Sequence, residues 1–491
     1  MRTLARAFLP CLLLTACDDA ITSGDAQNVI ETVSVEVHAF VVGDVSSSKA
    51  DAEASWNREC TAWAKQAADL AGGAKSSGFD CGKPKNLHTG SWFLFGSDAR
   101  LGLSVGVDEE GELLESVAGR VSGDASGDQQ KAIASWRDTC SAKAATVGAH
   151  YGDGFVSSSC GEPKNVHTGS WFRFESEHTV MAAARPGVDV ELPGYVVGGE
   201  SQELHTSTLS WQTACDDWLG ALGGNGQLVG HSCGEPKNLH PGSWFQLGAA
   251  TTLRMRAELE EGQHTSASRD DSVTGDAFDS RAEAFASWRE RCNEETAYLR
   301  EAYGDHFLVA SCGEPKNVHP GNWFRFRSSL ELRVAASSGT EIEVPGYALG
   351  PAGPDAPAAE NGWRAACHAW LDATADIAGV DRLAGHSCGE PKNLHTGSWF
   401  FYGAPTVLRI VVALPEGTEP TVKSAGKATG MAQSESAAAV SSWQQACSTA
   451  IAAQRKVVGD GLLAASCGEP KNVHTGSWFQ YESPVTLWVE P

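Results

Sequence analysis

The sequence predicts an α+β fold of six tandem modules, each with a helix on a small antiparallel sheet and the chain order β-α-β-β. Three repeated features lead to this prediction. The phrase CGEPKNVHTGSWF at 160–172 recurs in six nearly identical copies, a Cys stands 18 to 21 residues before each copy, and a Trp stands four residues before that Cys. Repetition of this kind is typical of an array of like structural units. We number the modules 1 to 6 and call 1, 3 and 5 odd and 2, 4 and 6 even.

Each module is expected to contain one helix that follows its first strand. The Trp and the first Cys are four residues apart, which places both on one face of a helix. Ser280 and Glu283 form a capping-box pattern that opens the fourth helix. Glycine-rich stretches at 70–73 and 151–154 end the first two helices. The six helical tryptophans are Trp56, Trp136, Trp211, Trp288, Trp363 and Trp443.

The rest of each module is expected to be two strands joined by the phrase. A short strand leads into the second Cys, a turn-rich loop follows, and SWF starts the next strand. Alternation along that strand puts Phe172 and Phe174 on the core face and Trp171 on the opposite face. Short local connections favour antiparallel pairing with the helix on one face.

The twelve cysteines that follow Cys17 predict one disulfide in each module. An even, regularly spaced set in an exported chain is typical of a disulfide framework, and a closed loop of about 20 residues stabilises its module by about 3 kcal/mol. Zinc is the rival, but two Cys and one recurrent His fall one ligand short of a structural site, so we expect no metal. The expected pairs are Cys60–Cys81, Cys140–Cys160, Cys215–Cys233, Cys292–Cys312, Cys367–Cys388 and Cys447–Cys467.

The six modules are of two alternating types, which predicts three pseudo-dimeric pairs. Odd modules read KNLH and carry a second helical Trp, whereas even modules read KNVH and lack it. A module of this size needs a partner surface, and a pair of about 150 residues is a comfortable domain. We therefore expect domains at 29–186, 187–338 and 339–491. The second helical tryptophans are Trp63, Trp218 and Trp370.

The N-terminus indicates export. MRTLARAFLPCLLLTAC has two arginines, a short apolar stretch and small residues before Cys17. Its segment 14–17, LTAC, resembles the lipobox of bacterial lipoproteins. The resemblance implies a signal peptide at 1–16, lipidation of Cys17 and a linker at 17–28, with the mature chain anchored in the cell envelope on the periplasmic side or the cell surface. The alternative is an ordinary signal peptide in which Cys17 has no role.

Composition narrows the partners. The 491 residues carry a net charge of −24, which disfavours nucleic acid because binding it needs clustered Lys and Arg. With 42% hydrophobic and 20% charged residues, the composition is typical of a globular protein. Membrane association is expected only through the lipid.

Three residues of the phrase are not explained by turn formation alone, namely its Lys, His and Trp. One hypothesis makes them a ligand platform, in which the indole stacks and the polar groups form hydrogen bonds. The alternative is structural, with Trp covering the disulfide or filling a seam between modules and His bonded to backbone. The candidates are Lys85, His88, Trp92, Lys164, His167, Trp171, Lys237, His240, Trp244, Lys316, His319, Trp323, Lys392, His395, Trp399, Lys471, His474 and Trp478.

These features favour a multivalent binding protein that recognises a glycan or cell-envelope polymer through its loops. The alternative is a structural or protein-interaction lipoprotein whose loops only stabilise the fold, and a third hypothesis is a hydrolase centred on His. We expect no enzymatic activity, because Glu162 becomes Lys83 in module 1 and the recurrent cysteines are paired. Repeated sites bring avidity to a binder. We expect no cofactor.

Overall fold

The computed structural model describes residues 30–491, apart from 73, 89, 109–110, 168, 223–224, 241, 320, 396–398, 416 and 475. The expected signal peptide at 1–16, the linker at 17–28 and Cys17 lie outside the described residues. Within them, six helices and six small antiparallel sheets follow one another, each helix bonded to its module by a disulfide. The predicted α+β fold of six modules is confirmed.

Each module has one helix and four strands. Module 1 has β1 (Ile30–Val42), α1 (Lys49–Leu70), β2 (Lys75–Asp80), β3 (Lys85–Asn86) and β4 (Phe95–Asp108). Module 2 has β5 (Glu112–Ser122), α2 (Gln129–Tyr151), β6 (Phe155–Cys160), β7 (Lys164–Asn165) and β8 (Phe174–Ala184). Module 3 has β9 (Val188–Ser201), α3 (Leu204–Ala221), β10 (Gln227–Ser232), β11 (Lys237–Asn238) and β12 (Phe245–Ala257). Module 4 has β13 (Gln263–Thr274), α4 (Arg281–Tyr303), β14 (Phe307–Cys312), β15 (Lys316–Asn317) and β16 (Phe326–Ser337). Module 5 has β17 (Thr340–Leu349), α5 (Ala356–Ala378), β18 (Leu383–Ser387), β19 (Lys392–Asn393) and β20 (Tyr402–Val412). Module 6 has β21 (Thr421–Thr429), α6 (Ser436–Val458), β22 (Leu462–Cys467), β23 (Lys471–Asn472) and β24 (Tyr481–Val489).

The last strand of each module is the centre of its sheet. In module 2, β8 pairs with β5 on one side and with β6 on the other, always antiparallel, and the two-residue β7 also pairs with β8. The predicted helix boundaries also hold, since Ser280 caps α4 by accepting a hydrogen bond from the Glu283 backbone N–H. The strand after the phrase starts later than expected. Phe172 forms only an isolated bridge with Ser126, and β8 begins at Phe174, so Trp171 lies in the loop.

A disulfide and a buried indole hold each helix on its sheet. All six predicted disulfides are present, with Cα–Cα distances between 5.9 and 6.3 Å. In module 2, Trp136 is buried beside Cys160, and its Nε1–H donates to Ser176 Oγ at 3.1 Å. The helix comes so close to the first strand that a Cβ on Gly123 would lie 2.5 Å from Trp136 N.

Neighbouring modules join edge to edge. The first strand of each module lies beside the strand that precedes the second cysteine in the next module, as β5 lies beside β10. Cys233 N–H donates to Ala118 O at 3.2 Å, and a Cβ on Gly230 would lie 3.4 Å from Ser116 Cβ. These two strands therefore run in the same direction, and the phrases of adjacent modules emerge at the same end. Contacts of this kind occur within and between the ranges 29–186, 187–338 and 339–491, so these domain boundaries stay a prediction.

Junctions from an even to an odd module contain a buried pair of polar rings. Tyr151 Oη and His231 Nδ1 are hydrogen-bonded at 2.8 Å between modules 2 and 3, and Tyr303 Oη and His386 Nδ1 at 3.0 Å between modules 4 and 5. The second His also lies 3.0 Å from Asp271 Oδ2. The two histidines therefore occupy equivalent sites with different charges around them.

In the part of the chain that the structure describes, no helix combines the length and the apolarity needed to cross a membrane.

The helical tryptophans allow a matched stability test. Ser97, Ser176, Ser328 and Ser483 accept the indole N–H in four modules, whereas modules 3 and 5 have Ala249 and Ala404 at that position. The indole N–H of Trp211 and Trp363 has no partner among the described residues. We expect Ala404→Ser to raise the free energy of unfolding by about 0.5–1.5 kcal/mol and Ser176→Ala to lower it by about 1–3 kcal/mol, because one supplies and the other removes an acceptor for a buried donor. Guanidinium unfolding measures both. An Ala404→Ser protein no more stable than the wild type would contradict this account.

The two junction histidines should respond to pH in opposite directions. Burial lowers the pKa of His231 well below 6.5, and nearby Lys143 adds to this. Burial also acts to lower the pKa of His386, but Asp271 outweighs it and the pKa is raised above 6.5. The stabilising contribution of neutral His231 is therefore present above about 6.5 and lost as the pH falls, whereas that of charged His386 is present below about 6.5 and lost as the pH rises through its folded-state pKa.

Ring resonances followed by NMR titration will check this. We expect the His386 resonances to titrate above those of a solvent-exposed His and the His231 resonances to stay in the neutral form throughout the range in which the protein is folded. His231→Phe, the residue that module 1 has at this position as Phe79, identifies the resonance and removes the acid sensitivity of this junction. Both rings titrating together near 6.5 would contradict the assignment.

Candidate functional site

The conserved geometry of the phrase comes from its Asn. In module 2, Asn165 Oδ1 accepts hydrogen bonds from the backbone N–H groups of His167 and Arg173, at 3.2 and 2.9 Å. One side-chain oxygen thus ties together the two arms of the loop. The equivalent Asn makes the same two bonds in all six modules. The sequence predicts this Asn to be a turn residue. In the structure its two hydrogen bonds, which we call the Asn staple, hold the loop together.

The six phrase tryptophans project from these loops into solvent. Between 38% and 54% of each residue's surface is exposed. The buried tryptophan beside each disulfide is the one on the helix, whereas the phrase tryptophan is only about half covered. The same large apolar side chain is thus half-exposed at six equivalent positions. The six are Trp92, Trp171, Trp244, Trp323, Trp399 and Trp478.

The phrase histidines lie next to these indoles. In even modules the imidazole and indole centroids are 6.3 to 6.5 Å apart, as for His167 and Trp171. In module 3, His240 Nε2 instead lies 3.2 Å from Glu200 Oε1. In four of the six, the Nδ1 atom is buried and has no hydrogen-bond partner in the described part of the chain, namely in His88, His240, His319 and His474.

The phrase lysines point outward. Lys85 Nζ lies 2.9 Å from Glu162 Oε1 of the next module and 5.0 Å from the Phe40 ring centroid. Among the described residues, the other five lysines have no carboxylate partner, and all six are exposed. The loops therefore combine an exposed indole with a cationic group. These five are Lys164, Lys237, Lys316, Lys392 and Lys471.

In three of the five modules that have it, the phrase glutamate forms an ion pair across a junction, a role that the sequence did not predict. Glu162 pairs with Lys85, Glu235 with Arg120 at 2.9 Å, and Glu390 with Arg327 at 3.0 Å, each time reaching back to the preceding module. Module 1 has no predecessor among the modules, and its phrase carries Lys83 instead. The replacement of this glutamate by Lys83 in module 1 was the sequence signal that could have revealed its role at the junctions.

The structure brings the Lys, His and Trp of each phrase into one loop and aligns neighbouring loops. Within the ranges that the structure describes, His240 is the one phrase histidine with a carboxylate within ion-pair distance. Among the described residues, one group of three has metal-binding potential, Asp271, His386 and Cys388, but the sulfur of Cys388 is bonded to Cys367. That group belongs to the junction between modules 4 and 5 and lies apart from the loop candidates.

No protein-family model, curated protein or solved structure matches this chain.

The Asn staple can be tested apart from any ligand. We expect Asn165→Ala to speed hydrogen exchange at the amides of His167 and Arg173, because both lose their acceptor. Asn165→Asp keeps an acceptor oxygen and is expected to retain protection. Each bond contributes about 0.5–1.5 kcal/mol, so exchange of each amide should accelerate by about two- to tenfold. Equal protection in the Ala and Asp variants would contradict the staple.

Proposed function

We propose that this chain is an exported, lipid-anchored binding protein without enzymatic activity, which recognises a glycan or cell-envelope polysaccharide through its six loops. The observation that carries the proposal is the set of six phrase tryptophans, all about half exposed at equivalent positions on stapled loops.

The chemistry of the loop suits a sugar. The C–H face of a pyranose packs on an indole, which is an extended apolar surface with a polar edge. Hydroxyl groups need directional partners, and a Lys ammonium offers three donors while an imidazole offers a donor and an acceptor. Lys164, His167 and Trp171 supply this combination within one loop.

The array suits a polymer. Adjacent phrases emerge at the same end of neighbouring sheets, and the 2.9 Å pair between Lys85 and Glu162 links the first two loops directly. Weak sites that engage successive units of one chain gain affinity because later binding events are intramolecular. A repeating polysaccharide offers such units.

The proposed location rests on the leader and the disulfides. The sequence LTAC at 14–17 resembles a lipobox, and six disulfides are typical of proteins that fold in an oxidising compartment. A lipid at Cys17 would hold the array at the surface of a membrane, close to cell-envelope polymers.

The structural alternative has support from one residue of the phrase. Asn165 is fully used within the loop, as expected if the phrase only builds the fold. Trp171 differs from Asn165, because about half of its surface is exposed to solvent.

The proposal predicts graded loss of binding when the phrase tryptophans are removed. With immobilised polysaccharides and peptidoglycan as probes, we expect Trp171→Ala in the mature chain to weaken binding by about two- to tenfold, since one aromatic contact contributes about 0.5–1.5 kcal/mol. The sixfold Trp→Ala variant should lose binding. Phe79→Ala removes an exposed aromatic ring outside the loops and is the control. Polysaccharide binding that survives in the sixfold variant would rule out the platform.

A further inference from the structure

A groove separates the two helices at each odd-to-even junction. It is walled by the second helical Trp of the odd module and by the helical Cys of the even module. The cavity measures about 400 Å³ between modules 3 and 4, about 320 Å³ between modules 5 and 6, and about 50 Å³ between modules 1 and 2. None of the eighteen loop candidates lines it. The three grooves are equivalent in position but differ in volume and in the charged side chains around them.

One side chain accounts for the small first groove. Gln66 occupies the position held by Ala221 in module 3 and Ala373 in module 5, six residues after the helical Cys. Its Nε2–H donates across the groove to Ser141 O at 3.4 Å. The alanines leave that space open in the other two grooves.

At one end of the groove, the junction of modules 1 and 2 differs in charge from the junction of modules 3 and 4. Arg137 reaches across the junction between modules 1 and 2, donating to Val42 O, and pairs with Asp44 and Glu59 at 2.8 and 3.2 Å. Arg289 reaches Val197 O in the same way at 3.4 Å. The two acids, however, are replaced in module 3 by Gly199 and Ala214, and Arg289 has no carboxylate partner among the described residues.

At the other end of the groove, the junction of modules 5 and 6 differs in charge from the junction of modules 3 and 4 in the same way. Arg455 pairs with Asp376 at 2.9 Å across the groove between modules 5 and 6. Its equivalent Arg300 donates to Ala221 O at 3.2 Å and likewise lacks a carboxylate partner among the described residues. Asp217 also lines this groove, at its exposed mouth, and is ion-paired with neither arginine. The groove between modules 3 and 4 thus alone combines room with two unneutralised guanidinium groups.

We propose that the groove between modules 3 and 4 binds a small aromatic anion. Its volume lies within the range of about 300–1,000 Å³ usual for small-molecule sites. Trp218, Val197 and Leu222 form apolar walls against which a ring packs. Arg289 and Arg300 make the groove locally positive on a chain whose net charge of −24 otherwise repels anions. The anionic group lies toward one guanidinium and the ring lies between the helices.

The probe for this site is anilinonaphthalenesulfonate, compared with the uncharged N-phenylnaphthylamine, on the full mature chain. We expect one sulfonate-dye site per chain that Ala221→Gln weakens by about tenfold or more, because it introduces the side chain that fills the first groove. Arg289→Gln copies Gln444, which keeps the bond across the junction to Leu349 O at 3.1 Å. This variant should weaken sulfonate binding by about three- to tenfold and leave the uncharged dye unchanged.

Matched variants separate this site from the loops and from general dye binding. Ala373→Gln fills the neighbouring groove and Ala365→Gln makes the same change on the exposed face of α5, and both should retain the site. The sixfold Trp→Ala variant of the loops should retain it as well, which distinguishes the groove from the proposed polysaccharide platform. Sulfonate binding unaltered in folded Ala221→Gln, or unaltered in Arg289→Gln should the first variant fail to fold, would overturn the proposal. Equal affinity for the two dyes in the wild type would overturn its anionic part.

Discussion

The packing of one sheet edge against the next is the constraint on which the array depends. Because the last strand is central in each module, the sheet keeps two edges, and each edge must be covered by a neighbour or tolerate exposure to solvent. All six residues of β6, β14 and β22 are buried under the preceding module, whereas all six of β2, which no module precedes, are exposed. The same kind of strand is thus buried or exposed according to its place in the array.

The two free ends differ from the interior in a consistent way. Phe79 stands where His231 forms its buried pair, and Val458 stands where Tyr151 supplies the partner. The positions of the pair Arg120–Glu235 are both lysines at the free ends, Lys427 and Lys83. Two lysines could not form the ion pair that Arg120 and Glu235 make at an interior junction.

The division of labour between the two sets of tryptophans links stability to function. The helical set is buried beside the disulfides and fixes each helix, so the loops that follow start from a rigid base. The phrase set is about half exposed on these loops. A third set, which occurs only in odd modules, lines the grooves between paired helices. The two alternating types of module thus present two kinds of surface. The phrase loops recur six times, whereas the grooves between paired helices differ from pair to pair.

The sequence by itself determined the elements of each module, the six disulfides and the residues that the loops present. These depend on local spacing, such as the four residues from Trp136 to Cys140, and on comparison between copies. It misplaced Trp171 on a strand, because alternation cannot show where a strand begins. Only the tertiary structure decided which sheet edges meet and which groove is open. It also explains why module 1 has Lys83 at the position that Glu162 holds in module 2. Those features depend on contacts between residues about 70 or more positions apart, such as Gln66 with Ser141 and Tyr151 with His231, and no local pattern in the chain records such distances.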